Sequence, residues 1–199
     1  MGYKRLRPRS WPLYQDEDQR REFRQRLCEL LCREDLEIWY QDECGVMGDR
    51  SPRHVWAKRG SRPVLSFTGK HIKTNVIGAV RPIDGKFISL IMPKMNTDVF
   101  QIFLNELNHH ITKGKRVIMI LDNATWHKTK KLNWGRIEPE FLPPYSPDLN
   151  CIERIWLNLK ESFFTSSIAE SYDELEEQLM KALQFFHKNN TLCKSICGV

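Results

Sequence analysis

The chain has 199 residues, a length that suits one domain with room for a small appendage. Apolar residues make up 41%, enough for a core. No stretch approaches the roughly 18 consecutive apolar residues that a membrane-spanning helix requires. Lysine and arginine outnumber the acids 31 to 25, leaving a net charge of +6 that favours an anionic partner, nucleic acid being the commonest.

The first residues, Met1-Gly-Tyr-Lys-Arg-Leu-Arg-Pro-Arg-Ser10, form an extended basic lead-in with Pro8 and Pro12 opposing helix. No apolar run follows, so they do not read as a secretory leader, and the cytoplasm is the expected compartment. From Asp16 to about Cys32 the spacing predicts a helix, with Phe23, Leu27, Leu30 and Leu31 on one stripe. A strand is expected from Ile38 to about Cys44. Residues 47–63, rich in Gly, Pro and Arg, read as loop with a short extended piece at Val55-Trp56-Ala57.

Asn75–Val80 and Lys86–Met92 flank Arg81-Pro-Ile-Asp-Gly85, which predicts a hairpin with a five-residue connection. Thr97 is a plausible cap for a helix to about Ile111, ended by Gly114. Val117–Leu121 is so continuously apolar that a strand covered on both faces is expected. Ile137–Leu142 reads as one more strand. A helix over about 150–164 then places Ile152, Ile155, Trp156, Leu159 and Phe163 inward. Ser171 and Glu174 have capping-box spacing ahead of a last helix that carries Leu175, Leu179, Leu183 and Phe186. Strands first and α/β alternation later point to a mixed sheet with helices on both faces.

Six cysteines are most simply free thiols in a reducing compartment. Cys28/Cys32 and Cys193/Cys197 share a C-x-x-x-C spacing, but no histidine pair with finger-like spacing accompanies them, so zinc is not expected.

Three acids stand at the ends of apolar elements: Asp42 in Glu37-Ile-Trp-Tyr-Gln-Asp-Glu43, Asp122 after Ile118-Met-Ile-Leu, and Glu153 in the first turn of the 150–164 helix. Brought together, they offer the oxygen-rich, highly charged donor set that magnesium prefers. Two such ions can cut or join a phosphodiester. Without metal, three adjacent carboxylates repel one another.

Each acid also has a plainer reading. Asp42 and Glu43 alternate across a strand, so only one can face the site, and Asp42 is favoured. Asp122-Asn123 can simply end a strand. Asn150 and Glu153 have capping-box spacing, while Ser146-Pro147 is an alternative helix start. Lys128, Arg154 and Lys160 are candidates to touch phosphates, His127 either orients a phosphate or a water near Asp122 or is structural, and Trp126 either stacks on a base or packs.

Asp42-Glu43, Leu121-Asp-Asn-Ala-Thr-Trp-His127 and Leu142-Pro-Pro-Tyr-Ser-Pro-Asp-Leu-Asn-Cys-Ile-Glu-Arg-Ile-Trp156, with Trp56-Ala-Lys-Arg-Gly60 and Arg62-Pro63, resemble DDE transposases of the bacterial insertion-sequence branch related to mariner elements. The likeness runs from about Gly2 to Phe186. It implies a ribonuclease H-like α/β fold, with Asp42, Asp122 and Glu153 as a catalytic triad binding Mg2+, for which Mn2+ can substitute. It also implies cleavage at transposon ends, and strand transfer by the freed 3′-hydroxyl into target DNA. A homodimer on DNA, associated with the bacterial nucleoid, follows as the expected working form, with no membrane partner.

On this reading residues 1–33 are lead-in and N-terminal helix, 34–188 the catalytic domain and 189–199 a C-terminal tail. Cys151 stands where the family usually has proline. The family's helix-turn-helix DNA reader is absent from this sequence, so a separately encoded segment, a frameshifted product or a truncated remnant is expected. The step from Asp122 to Glu153 is slightly shorter than is common in the family. A ribonuclease H-like nuclease of the resolvase type, or an inactive DNA-binding remnant, are the rival expectations.

Overall fold

The computed structural model describes residues 14–49, 57–64, 66–165 and 167–198. The helices are α1 (Glu17–Leu31), α2 (Thr97–His110), α3 (Ile152–Phe163), α4 (Tyr172–Lys188) and α5 (Asn190–Cys197). The strands are β1 (Leu36–Met47), β2 (Lys73–Arg81), β3 (Lys86–Met92), β4 (Arg116–Leu121) and β5 (Ile137–Phe141). They form one sheet in the order β3-β2-β1-β4-β5. β1 pairs antiparallel with β2 and parallel with β4, and β4 pairs parallel with β5. This mixed sheet flanked by helices is the ribonuclease H-like fold.

Alternation along β1 divides the core. Leu36, Ile38, Tyr40, Cys44 and Val46 face one layer with Phe23 of α1 and the apolar faces of α3, α4 and α5. Trp39 faces the other, with Phe100, Phe103, Leu104 and Leu107 of α2. Val117, Met119 and Leu121 of β4 join the α2 layer while Ile118 and Ile120 join the α3 layer. β4 is therefore covered on both faces, as its unbroken apolar run predicts.

Several boundaries differ from the sequence expectation. β1 extends beyond both ends of the expected 38–44 because, as a central strand, it has partners on both sides. The hairpin loop holds four residues, since Arg81 joins the ladder opposite Lys86. Gly85 takes φ 72° there and donates its N–H to the Arg81 carbonyl at 2.8 Å. Asn96, one residue before Thr97, caps α2 by accepting from Val99 N–H at 2.9 Å. Ser171 caps α4 by accepting from Glu174 N–H at 3.2 Å, but Glu174 reaches back to Glu170 N–H instead of closing the box.

The 189–199 segment carries α5, whose Cys193 and Cys197 are buried. Gly85 makes that docking possible, because a Cβ there would lie 1.8 Å from the Asn190 carbonyl oxygen. All six cysteines are free thiols. The extended piece expected at Val55-Trp56 lies outside the described residues.

Candidate active site

The sheet register brings the first two acids together. The last paired residues of β1 and β4 are Tyr40 and Ile120. Two residues further along each strand stand Asp42 and Asp122, level with one another where the strands part. This is the carboxyl end of the parallel strands, where the sheet switches between neighbours and α/β proteins tend to place their sites. Glu153 joins them from the first turn of α3. All three line one cleft of about 530 Å3 with Asn123, Leu142, Pro143, Pro144, Tyr145, Ser146, Pro147 and Asn150. A cleft of about 630 Å3 at the other end of β1 also holds three acids, Glu34, Glu37 and Asp84, but there Arg81 pairs with both Glu37 and Asp84.

The turn that aims Glu153 is tied down from three sides. Arg20 of α1, almost fully buried, grips Asp148 with two hydrogen bonds of 2.9 and 2.7 Å. Asn150 does not cap α3: its side-chain amide donates to the Gln41 carbonyl of β1 at 2.9 Å, which frees Glu153 from the capping-box role. Pro147 instead opens a 3₁₀ turn, Pro147–Leu149, ahead of α3. Trp156, one helical turn after Glu153, presses into a notch at Gly78, the residue opposite Asp42 on β2. A Cβ on Gly78 would stand 2.7 Å from the indole. Cys151 takes φ −68°, the value that proline would impose, so the thiol in place of proline leaves the helix entry intact. Tyr145 holds φ 57°, a strained conformation for a bulky residue and one that clusters at functional sites.

The acids are not in equivalent states. Burial, with the charges of Glu153 and Glu43, pushes the Asp42 carboxyl up to about 8. Glu153 is also raised, by burial and by Asp122, while the Lys160 ammonium and a hydrogen bond with Asp42 oppose the shift. Asp122 is lowered, chiefly by its contact with His127, helped by Ala124 N–H at 3.0 Å. Burial works against charge on His127, but the carboxylates of Asp122 and Glu43 outweigh it and push the ring up to about 9.

His127 therefore departs from its expected part as a DNA contact. Its side chain has no exposed surface, and Nε2 meets Glu43 at 3.0 Å while Nδ1 meets Asp122 at 2.9 Å. The second contact is an ion pair, not a hydrogen bond. Glu43, Asp122 and His127 form the one cluster, among the described residues, whose ligating atoms lie within 4.8 Å of one another. With both ring nitrogens turned to carboxylates and the ring pushed up to about 9, the imidazole holds its protons and has no lone pair to offer an ion. Asp42 and Glu153 stand outside that cluster.

Lys128 is exposed, with its ammonium 5.1 Å from the centre of the Phe141 ring. Arg154 donates to the Cys197 carbonyl at 2.7 Å, tying α3 to the end of α5. Lys160 lies near Glu153 and the Cys44 thiol. Trp126 packs in the α2 layer, its indole N–H 3.4 Å from Glu43. Sequence reasoning missed Arg20, which reads there as one charge among many on α1. The signal was its place on the helix face that also buries Phe23.

A family model described as DDE superfamily endonuclease matches residues 37–176. An uncharacterized protein of Sinorhizobium fredii, y4pE/y4sA, is 36% identical over 101 residues, covering 50% of this chain and 75% of that protein. The uncharacterized 39 kDa protein of insertion element IS630 from Shigella sonnei is 24% identical over 160 residues. The alignment covers 78% of this chain and 46% of that protein, so the chain spans about half of its length. Among solved structures, the mariner Mos1 paired end complex with Mn superposes with a TM-score of 0.70 at 18% identity, covering 99% of this chain and 65% of that one. The catalytic domain of Mos1 mariner transposase gives 0.58 at 15% identity, covering 97% and 98%.

Proposed function

The chain belongs to the DDE superfamily endonucleases, and from that membership we propose that it is a transposase catalytic domain. It cuts DNA at the ends of a mobile element and joins the freed 3′-hydroxyl to a target. The observation that carries the reading is the arrival of Asp42, Asp122 and Glu153, from two adjacent strands and a helix, in one cleft with two of the three carboxyls held against ionisation. An acid pair that resists its own charge fits a cation site, since a divalent ion would relieve the repulsion between its members.

Asp42, Asp122 and Glu153 would hold Mg2+ or Mn2+. When bound, such ions help activate a water or 3′-hydroxyl and stabilise the leaving oxygen. Asp42 and Glu153, both raised, would give up a proton on taking up the cation. Lys160 keeps a positive charge beside Glu153. Lys128, Arg154 and Lys160 are proposed to meet phosphates, contacts whose contribution falls with salt. The proposed working form is a homodimer on DNA, close to the nucleoid; the Mos1 paired-end complexes are in keeping with two ends being held together. A helix-turn-helix segment, encoded separately or joined by frameshifting, would read those ends. The proposed catalytic unit is 34–188, buttressed by α1 and α5. No helix among the described residues is long and apolar enough to cross a membrane.

The test is a labelled duplex bearing a pre-cut terminal repeat of the element that encodes the chain, incubated with target DNA and Mg2+ or Mn2+. Covalently joined products are expected. Hydrolysis alone across many unrelated end sequences would favour a resolvase-like nuclease. Equal inactivity of wild type and Asp122→Asn, with salt-sensitive DNA binding retained, would favour a non-catalytic remnant.

A further inference from the structure

We propose that His127 and Glu43 are positioning residues that lock one oxygen of Asp122 and leave the other for the cation. The inference rests on the metal-site reading above, and it concerns how that site is built. β1 supplies both participants on its own side: Asp42 faces the α3 layer and the cleft, while Glu43, one residue on, turns to the α2 layer. There Glu43 receives His127 Nε2 at 3.0 Å and the Trp126 indole N–H at 3.4 Å. The ring's other nitrogen lies 2.9 Å from Asp122 Oδ1, the same oxygen that accepts Ala124 N–H at 3.0 Å. Phe100 of α2 packs against the imidazole, their centroids 4.3 Å apart.

This arrangement is a chain of contacts running from one sheet face, around the end of β4, to the other. Every member but the last is enclosed: the His127 side chain has no exposed surface and that of Glu43 is 13% exposed, whereas Asp122 is 51% exposed. The enclosed groups have nothing to do with DNA directly. What they can do is fix the rotation of the Asp122 carboxylate. With Oδ1 engaged by a ring nitrogen and a backbone amide, Oδ2 is the oxygen left to face the cleft beside Asp42 and Glu153. Outer partners that orient a ligand in this way commonly govern metal affinity as strongly as some ligands do. The Asp-Glu dipeptide thus has a division of labour, with Asp42 for the cleft and Glu43 for the support behind it.

The test is Mn2+ binding to the whole chain without DNA, followed by the electron paramagnetic resonance of free Mn2+, alongside thermal melting. His127→Ala and Glu43→Gln are each expected to raise the Mn2+ dissociation constant about 10–100-fold. His127→Gln, whose side-chain amide can donate to Asp122 where the ring makes an ion pair, is expected to recover part of that loss. In a double-mutant cycle, His127→Ala with Glu43→Gln should bind scarcely more weakly than either alone, because both act through one carboxylate. In DNA cleavage, kcat should fall with KM unchanged.

Should His127→Ala fold poorly, the isosteric Glu43→Gln decides alone. Wild-type Mn2+ affinity in folded Glu43→Gln or His127→Ala would overturn the positioning role and leave the triad standing. A wild-type chain that takes up no Mn2+ would overturn the metal site and this inference together.

Discussion

Asp122 and Asp42 sit level on neighbouring strands, yet the protein holds their carboxyl groups in opposite states. Asp122 is kept charged by an imidazolium and a backbone amide. Asp42, half-buried beside Glu153, is kept from ionising. One side of the cleft supplies its own cation and the other is left short of one. A site assembled this way has a fixed corner and a pair that stays unsettled until an ion arrives.

The largest effect expected from breaking this arrangement is on the acids themselves. Asp42→Asn, Asp122→Asn and Glu153→Gln should each lower metal-dependent DNA cleavage by about a thousandfold or more, measured as turnover on a labelled duplex. Residual turnover within tenfold of wild type in any of them would remove that residue from the site. Next comes the clamp on the turn before α3. Arg20→Ala removes two charge-assisted hydrogen bonds from a buried guanidinium. It should cost about 1.5–3 kcal/mol in urea unfolding, with reduced cleavage because Glu153 loses its rigid mount. Gly78→Ala forces a Cβ against the Trp156 ring and should cost about 1–3 kcal/mol. Trp156→Phe in the same background should recover part of it.

The smallest effect is the most discriminating between the two carboxylates, because they titrate in opposite senses. A carboxyl raised to about 8 favours folding below the ordinary carboxylate range, and that advantage disappears as pH climbs through about 8. Asp122 is lowered, so its contribution is present above that range and is lost as pH falls. In metal-free buffer, Asp42→Asn should therefore gain relative to wild type between pH 5 and pH 8, by about 2–4 °C in Tm once solvent screening of a half-buried group is allowed for. Asp122→Asn should instead sit below wild type by a constant margin across that range and close the gap only as pH falls below about 4. Parallel behaviour of the two variants would erase the contrast drawn above.

Much of this was legible in the residues because hydrophobic period and strand ends are local signals. The apolar run of β4, the stripe of α3 and the acids at their ends all appear in order along the chain, and they predict the sheet and the cleft that the structure displays. What escaped were long-range preferences. Asn150 looks like a helix cap from its neighbours, and only the approach of the Gln41 carbonyl across the fold draws its amide away. His127 reads as either a phosphate contact or a structural histidine, and only the approach of Phe100 of α2 and Glu43 of β1 decides between them. Arg20 gains meaning only when Asp148, far along the chain, arrives beside it. α5 depends on Gly85 making space in a distant hairpin.

The central claim is that the Asp42–Glu153 pair gives up a proton to receive a divalent cation. Calorimetric titration of the whole chain with Mg2+ near pH 7, repeated in two buffers of different ionisation enthalpy, tests it directly. Saturable uptake with release of about one proton per chain is expected, and both should vanish in Asp42→Asn. Uptake with no proton released, or equal uptake by Asp42→Asn, would contradict the account.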